Sequence, residues 1–131
     1  MKRFLVLALA LSSLSGIAHA AVALTNVRKV YIEKMENNLD QYLASAISAK
    51  FHGTLTVVLD RAAADAVLKG ENLTAQDTTK ATVQLIDAGG QTVLWSGSAN
   101  DRSMLMMDLK HGGGKKLADN LISQLKKAMQ H

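Results

Sequence analysis

The chain has 131 residues, 15 of them basic and 11 acidic, with 4% aromatic residues, no cysteine and no proline. Without cysteine there is no disulfide, thiolate zinc site, cysteine nucleophile or acylated lipoprotein anchor. The mild positive charge and scarce aromatics exclude the clustered basic face and stacking platform of a nucleic-acid binder.

The first twenty residues read as a secretion signal. Lys2 and Arg3 precede the apolar run Phe4–Leu11, which is too short to span a bilayer, and Ala18-His19-Ala20 ends the segment as an Ala-x-Ala cleavage site. Cleavage is expected after Ala20, with Ala18 and Ala20 as the residues read by the peptidase. The expected division is a signal at 1–20 and one exported domain at 21–131, in the periplasm or outside the cell. The mature chain then loses Lys2 and Arg3, leaving 13 basic and 11 acidic side chains, a net +2. Nothing after the signal is apolar for long enough to cross a membrane.

Val27–Glu33 is rich in β-branched and aromatic residues and reads as a strand. From Asn37 the period changes. Leu39, Tyr42, Leu43, Ala46, Ile47 and Phe51 recur at helical steps, Asn37 and Asp40 form a capping arrangement, and Gly53 ends the helix. Thr54–Leu59 alternates, with Leu55, Val57 and Leu59 on one face. Asp60–Asp65 is a short connection with room for one helical turn. Ala66–Glu71 reads as a third strand, and 72–80 as a polar connection. Ala81–Ile86 and Thr92–Ser96 are strands across a Gly-containing turn at 87–91, a hairpin. Gly97–Gly114 has no clear period and is either a loop or a further strand. Leu117, Ala118, Leu121, Ile122, Leu125, Ala128 and Met129 stripe a closing helix.

The resulting order is β-α-β-β-β-β-α. Its fold class is α/β (α+β): a mixed sheet of four to five strands with both amphipathic helices packed on one face. The first two strands should run parallel and the hairpin antiparallel. Trp95, Val93, Leu85 and Val83 are expected under the helix stripes.

The pattern Ala64-Asp65-Ala66-Val67-Leu68-Lys69-Gly70, then Asp87-Ala88-Gly89-Gly90, then Val93-Leu94-Trp95 and a closing helix resembles small α/β modules of bacterial envelope proteins. Among these are the amino-terminal domain of the Tol translocation protein, the periplasmic domain of the curli secretion channel, and the lipopolysaccharide-assembly lipoprotein. The resemblance spans residues 27–129 and implies a non-catalytic module that binds an envelope protein or component. The missing cysteine departs from the lipoproteins.

Candidate chemistry is sparse. His111-Gly112-Gly113-Gly114-Lys115-Lys116 has the glycines of a phosphate loop but lacks the Ser or Thr after Gly-Lys, and reads instead as a flexible helix entry. Met104, Met106 and Met107 with His52, His111 and His131 have the donor types of a copper site but no ligand spacing. Asp60 and Asp65 are the one candidate acid–base pair; flanking a strand, such residues ordinarily cap turns. Ser96 and Ser98 lack a nucleophile elbow. Arg28, Lys29 and Lys34 read as a solvated strand edge. Asn72-Leu73-Thr74 matches a glycosylation sequon, which bacterial export leaves unmodified.

No catalytic, metal or cofactor-binding residue is therefore assigned, and no enzyme activity is expected. The alternatives are a small secreted hydrolase or transferase using carboxylates, or a metal-handling protein. The expected partner contact is Arg102, Met104, Met106, Met107, His111 and Lys115: a segment long for a connection, with adaptable methionines leading to a basic helix start.

Overall fold

Five strands and two helices form from these residues, and the computed structural model describes 23–75, 78–101 and 113–130. The elements are β1 (Lys29–Ile32), α1 (Leu39–Phe51), β2 (Thr56–Val58), β3 (Ala66–Ala75), β4 (Thr78–Asp87), β5 (Val93–Asp101) and α2 (Gly113–Met129). The sheet order is β2-β1-β3-β4-β5. β1 is parallel to both β2 and β3, while β3–β4 and β4–β5 are antiparallel. The mixed sheet and the β-α-β-β-β-β-α order are those expected from the sequence.

Parallel neighbours normally need a crossover of a dozen or more residues. Here residues 59–65 suffice to carry the chain from β2 past β1 to β3. The reason lies in the register: Val58 is level with Tyr31 and Ala66 with Val30, so the chain backs up by only one step along the strands. It need cross only two strand spacings, about 10 Å. A single 3₁₀ turn at Arg61–Ala63 makes this crossing, and Asp60 caps it by accepting from Ala62 N at 3.0 Å.

One face of the sheet holds the core. Leu39, Leu43 and Ile47 of α1 and Leu117, Leu121, Ile122 and Leu125 of α2 pack on Val30, Leu68, Ala81, Val83 and Leu85. All of these are essentially inaccessible to solvent. Away from Leu94 the strands meet the helices through alternate residues, so Thr82, Gln84, Ser96 and Ser98 emerge on the other face. Glycines admit close packing at two points. A side chain at Gly97 would put its Cβ 2.5 Å from the Trp95 ring, and one at Gly70 would meet Val83 Cγ1 at 2.6 Å.

Several local expectations are corrected. Val93 is 51% exposed rather than under the helices. The β4–β5 register slips between Leu85 and Ile86: Leu85 pairs with Trp95 and Ile86 with Val93. Leu94 is thus an extra residue that breaks the period of two and turns Val93 to the helix-free face. Leu94 and Trp95 are both partly buried against the core. Asn37 does not cap α1. Asn37 and Asn38 both adopt left-handed backbone (φ 58° and 61°), a conformation that asparagine tolerates better than most residues, and Asp40 Oδ1 instead accepts from Met35 N at 3.3 Å. Tyr42, expected on the buried stripe, sits at its margin and is 37% exposed. Its ring crosses Gly114 of α2, where a Cβ would lie 2.9 Å away.

The β3–β4 hairpin is longer than the pattern indicates. The segment 72–80, expected to be a connection, continues the ladder through Asn72↔Ala81, Leu73↔Lys80, Thr74↔Thr79 and Ala75↔Thr78. Of 97–114, residues 97–101 extend β5 and 113–114 already belong to α2. The strand that begins at Lys29, with Arg28 before it and Lys34 after it, is not a sheet edge: β1 lies between β2 and β3.

Candidate partner-binding surface

The face opposite the helices is built by register. Val58, Tyr31, Val67, Ile86 and Val93 are successive cross-strand partners and form one apolar row across all five strands. The row is covered at one side and open at the other. Val67 is 1% exposed and Ala64 8%, yet neither belongs to the helix-packed cluster, so the β2–β3 connection closes over this part of the sheet. An ion pair fixes the connection there: Arg61 Nη1 meets Glu33 Oε2 at 3.1 Å, with Lys69 Nζ 4.0 Å from the same oxygen. These groups are substantially exposed and hold position more than they stabilise. Toward β5 the row ends in exposed Val93. Beyond it run the polar rows Lys69–Gln84–Ser96 and Glu71–Thr82–Ser98.

The carboxylates considered for catalysis are engaged by backbone. Asp65 Oδ2 accepts from Arg28 N and Lys29 N, each at 2.9 Å, tying the start of β3 to that of β1. Its carbonyl accepts from Ala88 N at 3.1 Å, which adds the β4–β5 turn. Asp60 Oδ1 caps the 3₁₀ turn. Asp87, 8% exposed and not singled out by the sequence pattern beyond its place in the turn, accepts from Gln91 N at 2.9 Å and Thr92 N at 3.0 Å through Oδ1. A carboxylate holding two N–H groups pins a turn whose Gly90 has φ 75°. The string Asp-Ala-Gly-Gly is the sequence signal for it.

Of the residues expected to contact a partner, Lys115 is described. It lies exposed in the first turn of α2 and pairs with Asp119 Oδ2 at 3.0 Å, an i,i+4 surface pair. Arg102, Met104, Met106, Met107 and His111 lie outside the described residues, as do Ala18 and Ala20. Of the copper candidates, His52 is the exposed left-handed cap of α1 (φ 49°), and the others lie outside the described residues. Among the described residues no three His, Asp or Glu side chains gather as a metal site, and no helix is long and apolar enough to cross a membrane. A cleft of about 500 Å³ opens where the C-terminal ends of both helices meet the chain before β1. It is lined by Thr25, Arg28, Phe51, Thr54, Lys126 and Met129 among others. The sequence pattern gives no sign of it, because its walls come from three distant segments.

No protein-family model matches the chain, and no curated protein matches it significantly in sequence. Solved structures do. PelC from Paraburkholderia phytofirmans, a dodecamer, matches with TM-score 0.52 at 16% identity, over 81% of this chain and 91% of that one. TolB from Acinetobacter baumannii matches with TM-score 0.53 at 15% identity, over 79% of this chain and 29% of the other. The chain shares its fold with PelC and TolB. The likeness to envelope modules read from the strand and hairpin motifs therefore holds at the level of the fold, with TolB among the matches.

Proposed function

We propose that the protein is an exported, non-catalytic envelope module, cut after Ala20, whose mature chain 21–131 binds a partner protein or envelope component. The observation that carries this reading is the one-sided construction of the sheet. Helices seal one face, while on the other Val93 and the rows Gln84–Ser96 and Thr82–Ser98 stay open to solvent. Short polar side chains beside exposed apolar ones on a rigid sheet suit a protein contact better than a reaction. The engagement of Asp60 and Asp65 by backbone N–H groups supports the same reading, as does the fold shared with PelC and TolB.

The segment carrying Arg102, Met104, Met106, Met107 and His111 joins the end of β5 to α2, and with Lys115 it is proposed as part of the contact. Methionines adapt to an apolar partner, and the cations add attraction for an anionic group. Replacing Met104, Met106 and Met107 together by Ser is expected to leave the melting temperature nearly unchanged and to abolish capture of the envelope partner. A triple variant that unfolds would show the methionines to be core and end this part of the proposal.

A further inference from the structure

Leu59, directly after β2, is 94% exposed, more than any other large hydrophobic side chain described. It closes the run Thr54-Leu55-Thr56-Val57-Val58-Leu59, which contains no charge, proline or glycine. β2 ends the sheet, so among the described residues its outer edge has no strand partner. Sheets ordinarily guard such an edge with a short strand, lysine, proline or a bulge, and the three-residue β2 has only the first of these. Uncharged β-branched runs of this length pair readily when an edge is open.

The open hydrogen-bonding groups can be named. Thr56 N donates to Arg28 O at 2.9 Å, so Thr56 turns its backbone toward β1. With Thr56 and Val58 both bonded to β1, the peptides between and beside them turn Leu55 C=O, Val57 N–H and C=O, and Leu59 N–H outward. We propose that this edge pairs antiparallel with the same edge of a second copy of the chain, about a two-fold axis through Val57. That register sets Val57 against Val57 and Leu55 against the second copy's Leu59. The outward N–H groups of Val57 and Leu59 then meet the outward C=O groups of the second copy's Val57 and Leu55, and the exposed leucine is covered.

Charge selects the same occupant. The register brings Asp60 near the second copy's Thr54, and Asp60 itself has extended backbone (φ −104°, ψ 116°). Thr54 lines the cleft that also holds Arg28 and Lys126 and has no carboxylate among its described lining residues. Each copy thus offers a carboxylate at one end of the edge and a basic cleft at the other, the self-complementarity that a two-fold interface requires. Between Thr54 and Leu59 there is no charge to select a charged partner of another kind.

The chain has no cysteine, so Val57→Cys gives one thiol per chain. Hydrogen-bonded antiparallel partners stand about 5.5 Å apart at Cα, within disulfide reach. Protein purified from its native host with Val57→Cys should link to itself under mild oxidation, while Ser96→Cys on β5, the opposite edge, should not. In sedimentation over a concentration series the wild type should be a dimer. Leu59→Lys, which alters a side chain that is in solvent in the single chain, should be a folded monomer whose melting temperature no longer rises with protein concentration. A wild type that stays monomeric at every concentration, a Leu59→Lys variant that stays dimeric, or linkage at Ser96 and not at Val57 would overturn the proposal. A monomer would leave the proposed partner binding standing, since that rests on the β3–β5 face.

Discussion

Gly97 and Trp95 show how much one residue decides here. The Trp95 ring occupies the space that any side chain at 97 would need, and Gln124 closes the site by donating from Nε2 to Ser98 O at 3.0 Å. Gly97→Ala should therefore displace the ring and cost about 1–3 kcal/mol, the range of an overpacked core. Trp95 is the sole tryptophan, so its emission reports the shift directly in the same denaturation experiment. A variant with native emission and stability would mean that the ring does not lie over Gly97. At this scale the sequence is least legible. Val93 and Trp95 share a parity that places both inside, and only the extra residue at Leu94 separates them. Nothing in the string Val-Leu-Trp marks a bulge. Spacing marks Asp65 only as half of a carboxylate pair, because it cannot reveal that the Asp65 oxygen meets two backbone N–H groups 36 and 37 residues away.

The elements are far more legible, and for a physical reason: each helix has one wide apolar stripe. Leu121 lies at the centre of the closing stripe and is wholly buried against sheet and α1. Leu121→Ala should destabilise the protein by about 2–5 kcal/mol by chemical denaturation. A loss below about 0.5 kcal/mol, typical of surface positions, would mean that α2 faces another way. The far end of the β3–β4 hairpin escapes a reading by pattern because Asn72–Lys80 is mostly polar and shows no alternation. Its ladder is written in backbone hydrogen bonds, which composition does not record. By alternation Leu59 continues the Leu55–Val57 face. Pairing with β1 ends at Val58, and the turn at Arg61–Ala63 then takes the chain onto the opposite side of the sheet, leaving Leu59 in solvent.

At the scale of the molecule, element order limits the topology without choosing it. The expected parallel pairing of the first two strands is present, but that β1 also pairs with β3 depends on how short β2 is. The open face follows from that topology. With both helices on one side, the other side of β3–β5 keeps Thr82, Gln84, Ser96, Ser98 and Val93 in solvent, and this face carries the proposed function. The segment 102–112, which holds most of the contact expected from the sequence, lies outside the described residues, so that expectation rests on its methionines and cations alone. The most direct test is photocrosslinking in the living native host with a light-activated residue in place of Val93, followed by mass spectrometry of the adduct. The account predicts an adduct between an envelope component and a chain that begins at Ala21. The absence of any adduct from this face, or an uncleaved chain beginning at Met1 in the cytoplasm, would contradict it.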